Sequence, residues 1–314
     1  MSNIFVNTVP HSGTHLVTTI LDSLGYKHAN IKNKFYTVRP YFRRIQKAGI
    51  NWRSSKELGN YIPLFEKKTV LVSVASPRLV KPSLMTKTFS NVGNKQYIIG
   101  HMPFSADGKK VIEEKISKTV TIIRDPRDMA ISMINHCRTR PLHHAHEYLF
   151  NALDSETDRL SAVVSGYDNQ FGSLIGINKM YSSMIKWQDE VDNITLKFED
   201  LVGLRGGGNS EDQIFSINAL INYLGLEDKF DQDKISIIAK NSFGVSGTFR
   251  KGKIGAWAKV FSDTDKKIFK SKVGDLLIDL NYETIFKENI YCYFYSIIEL
   301  LFIFCPIQSS DNPR

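Results

Sequence analysis

Short strand-like runs alternating with helical periodicity predict an α/β chain, a single domain on a central, mostly parallel sheet flanked by helices. Three observations carry this. Ile4-Phe-Val-Asn-Thr-Val9 reads as a strand and Pro10-His-Ser-Gly-Thr14 as a tight polar loop. From His15, the apolar residues Leu16, Val17, Ile20, Leu21 and Leu24 recur at helical spacing, and Gly25 follows as a stop. Thr119–Arg124 repeats the theme as a β-branched strand, with Met129, Ala130, Met133, Ile134 and Cys137 on one helical face after Pro126.

The remaining elements fall into the same alternation. Residues 70–75, 97–100 and 194–198 read as strands. Ser210-x-x-Gln213 reads as a capping box, opening a helix through Ile214, Ile217, Leu220, Ile221 and Leu224 that Gly225 ends. A last helix starts near Ser262. Residues 30–70 are basic and aromatic without clear periodicity, and no internal repeat is visible.

Composition narrows the class. With 42% apolar and 23% charged residues, the chain is neither disordered, collagen-like nor coiled coil. The 314 residues suit one large domain. Lys and Arg (41) exceed Asp and Glu (32), and a net charge of +9 suits an anionic partner. The cysteines are Cys137, Cys292 and Cys305, which form no disulfide framework or zinc pattern. The first residues lack a basic region followed by an apolar run, so a cytoplasmic, reducing location is expected. Residues 290–307 are nearly all apolar, but Glu299 and Pro306 interrupt them. They are expected to dock on the core as a helix rather than to touch a membrane.

Four segments carry chemistry. In Pro10-His11-Ser12-Gly13-Thr14-His15, Gly13 lets a ligand approach the backbone and Ser12 and Thr14 offer hydroxyls. The following helix offers N–H groups and the positive end of its dipole, a layout that suits phosphate. In Arg124-Asp-Pro-Arg-Asp128, a cation stands at a strand's carboxyl end and Ser132 lies eight residues on. Phe249-Arg250-Lys251-Gly252-Lys-Ile-Gly255-Ala-Trp257 is a basic, glycine-bearing loop able to close over an anion. His101, in Gly100-His-Met-Pro103, is a candidate general base after a strand.

Together these segments resemble the sulfotransferases that use 3′-phosphoadenosine-5′-phosphosulfate (PAPS). That family has Pro-Lys-Ser-Gly-Thr-Thr where this chain has Pro10 to His15, and His-Leu-Pro where it has His101-Met-Pro103. It has an Arg with a Ser eight residues on, matched by Arg124 and Ser132. Tyr-Glu-Asp-Leu is matched by Phe198 to Leu201, and Arg-Lys-Gly-x-x-Gly-x-Trp by Arg250 to Trp257. The resemblance runs from about residue 4 to about residue 285, and residues 201–208 look most like bacterial members.

It implies a sulfotransferase domain over residues 1–287, opening with a P-loop-like strand–loop–helix, and an apolar tail over 288–314. The enzyme would move a sulfuryl group from PAPS to a hydroxyl or amine, an EC 2.8.2 type reaction, with His101 as base. The loop His11, Ser12, Gly13, Thr14 and His15 would hold the 5′-phosphosulfate. Arg124, Ser132, Arg250, Lys251 and Gly252 would hold the 3′-phosphate, and Phe198 would stand near the adenine. The acceptor would be a small molecule in secondary-metabolite tailoring, an alkaloid toxin, carbohydrate or lipid among the choices, with neither metal nor nucleic acid required.

Three departures stand out. His11 replaces the family lysine that stabilises the leaving oxygen, Leu16 an aromatic after the loop, and Ile99 a lysine before the base. One reading makes His11 an imidazolium doing the lysine's work, another lets a nearby lysine substitute, and a third leaves binding without activity. The histidines at 136, 143, 144 and 146 lack a familiar metal spacing. Rival readings are a P-loop kinase or NTPase, which the missing Walker lysine opposes, and a basic nucleic-acid-binding protein, which no motif supports. A third is a membrane-attached transferase using residues 290–307.

Overall fold

A computed structural model describes residues 2–30, 70–74, 79–80, 82–244 and 252–284. Two compact units divide the chain, Met1–Val273 and Gly274–Arg314. The second is described only to Thr284, so the boundary expected at 287 and the 290–307 tail lie outside the described residues.

The chain opens with β1 (Ile4–Thr8), α1 (Thr14–Ser23) and β2 (Lys27–His28). A small antiparallel pair, β3 (Val70–Leu71) and β4 (Leu79–Val80), comes next. Then follow α2 (Pro82–Phe89), β5 (Gln96–Gly100), α3 (Ala106–Lys115), β6 (Lys118–Ile123) and α4 (Pro126–Arg138). After α5 (Glu156–Ser165), the hairpin β7 (Gly166–Asn169) and β8 (Gly172–Ile175) leads into α6 (Ile177–Ile185) and β9 (Asn193–Lys197). The short helices α7 (Phe198–Leu201) and α8 (Gly203–Gly206) precede α9 (Ser210–Tyr223), α10 (Gln232–Ser242) and α11 (Asp263–Asp279).

The central sheet has five strands in the order β2-β5-β1-β6-β9, all parallel. Strand alternation divides its side chains between two cores. On one face Ile4, Val6, Val120, Ile122 and Leu196 pack with residues of α1, α9 and α10. On the other Phe5 and Ile98 pack with residues of α2, α3 and Trp187. Helices on both faces explain the runs of apolar residues in β1 and β6, which have no wet side.

Local differences have physical causes. The strand expected over 70–75 is only β3, though Ser73 still bridges to His101. Ser210 is not the cap of α9. Asn209 is, accepting from Glu211 N at 2.8 Å, while Gln213 is buried and its amide donates to Leu201 O and Ala239 O. Burial of that amide between two helices overrides the local capping pattern. The helix expected near Ser262 is α11, where Ser262 and Asp265 make reciprocal capping bonds. Among the described residues no helix is long and apolar enough to cross a membrane.

Candidate active site

Parallel pairing puts the carboxyl ends of β5, β1, β6 and β9 side by side, and each delivers one candidate residue. His101 follows β5, the His11–His15 loop follows β1, Arg124 follows β6 and Phe198 follows β9. This is the edge at which open α/β sheets bind ligands.

The loop after β1 is fastened from below. Ser12 is fully buried, with its Oγ 2.6 Å from Val9 O and 2.9 Å from Ile122 O. Its hydroxyl therefore anchors the loop to β6 instead of facing a ligand. Gly13 caps α1 at φ 109°, a backbone region that side chains other than glycine rarely adopt. A Cβ there would meet Phe198 Cδ2 at 2.5 Å, so the aromatic ring rests directly on the loop. Gly13→Ala should cost about 1–3 kcal/mol of stability from strain at this position, readable by chemical denaturation, and should displace Phe198.

Thr14 opens α1, and the first N–H groups of a helix have no partner within it. Its Oγ1 lies 2.7 Å from Thr8 Oγ1. His15 is exposed on the first turn, and its carbonyl accepts from Thr18 and Thr19.

His101 joins the same network. Its Nδ1 donates to Thr8 O at 2.6 Å and lies 3.2 Å from Thr8 Oγ1. With Nδ1 carrying the proton, Nε2 keeps its lone pair, the form a general base needs. Burial moves its pKa down from the ordinary histidine value, partly offset by that backbone bond. The next residue is clamped twice: Asn7 exchanges two bonds with Met102, and the indole of the fully buried Trp187 donates to Met102 O at 2.9 Å.

Arg124 is buried yet incompletely paired. Its Nη2 donates to Lys253 O at 3.0 Å, and its Nη1 stands 3.4 Å from His11 O. Its guanidinium lies over the Phe198 ring, 4.4 Å from the centroid. The nearest carboxylate contact is Asp128 Oδ2 at 3.8 Å, and Nε has no partner. A buried cation with an orphaned donor is costly unless an anion joins it.

Asp128 is otherwise engaged, accepting from Gly255 N and Trp257 N at 2.8 and 2.9 Å. Burial pushes its pKa up, opposed by Arg124. These bonds seat residues 252–257 beside Arg124. Gly252 belongs to this seated segment, whereas Arg250 and Lys251 lie outside the described residues. Ser132 sits half-buried on α4, two turns in, and Leu16 is part of the core.

The sequence reading missed Thr8, Asn7, Trp187 and the seating role of Asp128. The Asp-Pro-Arg-Asp run was a signal for the last, because an Asp one turn into a helix can face a neighbouring loop. Nothing local marked the others.

His11 departs from the imidazolium reading. Burial first, then His136, His101, His143 and Arg124, push its pKa down to about 3. These surroundings favour the neutral imidazole. Among the described residues no group of His, Cys, Asp and Glu is arranged to hold a metal.

Residues 1–202 match the family model described as sulfotransferase domain. A search of curated proteins finds no match. Among solved structures, mouse sulfotransferase SULT7A1 complexed with 3′-phosphoadenosine 5′-phosphate (PAP) is 14% identical, with TM-score 0.51 over 87% of this chain and 84% of that one. A retinol dehydratase in complex with androsterone and the inactive cofactor PAP is 19% identical, with TM-score 0.53 over 88% of this chain and 81% of that one. At these identities the likeness is one of fold.

Proposed function

Because the chain belongs to the sulfotransferase domain family, we propose that it moves a sulfuryl group from PAPS to a hydroxyl or amine of a small-molecule acceptor. The observation that carries this reading is the buried, incompletely partnered Arg124 beside a glycine loop and a histidine of fixed tautomer. The orphaned Nε and the unpaired N–H groups at the start of α1 fit a ligand with phosphates at two ends.

In this reading the backbone at Gly13, Thr14 and His15 holds the 5′-phosphosulfate, with Ser12 anchoring the loop. Arg124, Ser132 and Gly252, joined by Arg250 and Lys251, hold the 3′-phosphate, and Phe198 stands beside the adenine. His101 Nε2 takes the proton of the acceptor as its oxygen or nitrogen bonds to sulfur. The bond from sulfur to the bridging phosphate oxygen breaks, and loop N–H groups with His11 meet the charge left there. Catalysis is then mainly positioning and charge stabilisation.

Thermal unfolding with and without PAP tests the donor assignment. At about 100 times its dissociation constant, PAP should add about 2.7 kcal/mol to the native state, with little effect from ATP at the same concentration. A shift with ATP alone would instead favour phosphoryl transfer.

A further inference from the structure

The sequence puts a histidine where the family has a lysine, and the fold surrounds it with more histidines. His11 has φ 63°, in the left-handed backbone region, and its ring packs on α4. There it meets His136 edge-on, with centroids 4.7 Å apart. His136 contacts His143 at 5.4 Å, and His143 lies against His144 at 4.4 Å.

Two of these imidazoles have surroundings that oppose protonation. Burial, and then the Arg140 guanidinium lying against the ring nitrogens of His136, lower that imidazole's pKa. His143 Nδ1 accepts from Ala145 N at 3.2 Å and lies 3.3 Å from Cys137 Sγ, so a proton there would break a bond. Among the described residues neither ring nitrogen of His11 has a hydrogen-bond partner. The groups acting on His11 are His101 after β5, Arg124 after β6, His136 on α4 and His143 beyond it. All are cations or imidazoles, and no carboxylate stands among them.

We propose that binding of an anionic nucleotide at the first loop draws a proton onto His11, so that the donor itself arms His11 as the acid for the leaving oxygen. This rests on the sulfotransferase reading above. His11 belongs to the loop that the phosphates approach, between β1 and α1, and its ring has room to take a proton without breaking a hydrogen bond of the described residues. The proton comes from solvent on binding and passes to the phosphate oxygen when the sulfur–oxygen bond breaks. A standing lysine needs no such loading.

The linkage has a definite sign. The free protein holds His11 at about 3 and His143 at about 4, below the ordinary histidine value, with burial the largest cause. A bound polyanion opposes both burial and the neighbouring cations, so it raises the His11 value. Proton uptake must then accompany binding, and affinity must rise as pH falls toward the bound value.

Calorimetric titration with PAP at pH 6.5, in two buffers of different ionisation enthalpy, counts the protons. The phosphates of PAP titrate alike in every variant, so differences between variants belong to the protein. The wild type should take up more protons than His11→Gln, by on the order of half a proton. His11→Lys should lack the excess, and His101→Gln should keep it. Equal proton counts in the wild type and both His11 variants would overturn the proposal, as would an excess lost only in His101→Gln. Absence of PAP binding to the wild type would reject the donor assignment and this proposal with it.

Discussion

His101→Gln should lower sulfuryl transfer by about 10²–10⁴-fold, the usual worth of a positioned general base, while PAP still binds. The assay is transfer of labelled sulfate from PAPS to a panel of hydroxyl and amine acceptors. The expectation follows from one ring. Nδ1 of His101 is committed to Thr8 O at 2.6 Å, so Nε2 is the nitrogen left to accept a proton. Glutamine keeps a donor for Thr8 O and removes the basic nitrogen. Activity should also depend on pH with a definite sign. The base works when neutral, so kcat/KM should rise with pH through the His101 value and level off above it. Burial moves that value below the ordinary 6.5, so the plateau should already be reached near neutrality. Unchanged transfer in His101→Gln would remove the histidine from the mechanism.

Arg124→Met should weaken PAP binding by about 10²-fold or more, since truncating a buried charged partner of an anion costs about 2–5 kcal/mol. Methionine keeps an apolar surface against Phe198 but supplies no cation and no donors for Lys253 O and His11 O. The loss of folding stability should be the smaller effect. Nε of Arg124 is already unpartnered in the fold, and its contact with Asp128 is long at 3.8 Å. Asp128 itself remains held by Gly255 N and Trp257 N. Binding of adenosine 5′-monophosphate, which lacks the 3′-phosphate, should change little. An equal loss for both nucleotides would mean that Arg124 shapes the whole loop rather than one end of the ligand.

Much of this arrangement was legible because parallel strands and amphipathic helices leave periodic traces. Ile4 to Val9 and Thr119 to Arg124 are buried on both faces, so their apolar runs are long and easy to read. The loop between β1 and α1 announced itself through glycine and hydroxyl residues. Other features depend on contacts far apart in sequence. Gln213 looks like a capping residue until two carbonyls from other helices claim its amide. Ser12 looks like a phosphate ligand until Ile122 O, 110 residues away, claims its hydroxyl. The hairpin β7–β8 has short strands with half-wet faces and little alternation to detect. Helices α5 and α10 did carry a signal, with Ser155 and Asp231 each accepting from a backbone N–H three residues on. The charge on His11 was the least legible feature of all. It is set by burial and by His136, His101, His143 and Arg124, which lie 90 to 132 positions along the sequence from it.

The most direct test of the central claim compares PAP with adenosine 5′-monophosphate on the unaltered protein by calorimetric titration. If Arg124 and its neighbours hold a 3′-phosphate while the first loop holds the other end, PAP should bind at least about 10²-fold tighter, in line with a buried charged contact worth 2–5 kcal/mol. Equal affinity for the two nucleotides, or binding of neither, would contradict the assignment of this edge of the sheet as a PAPS site.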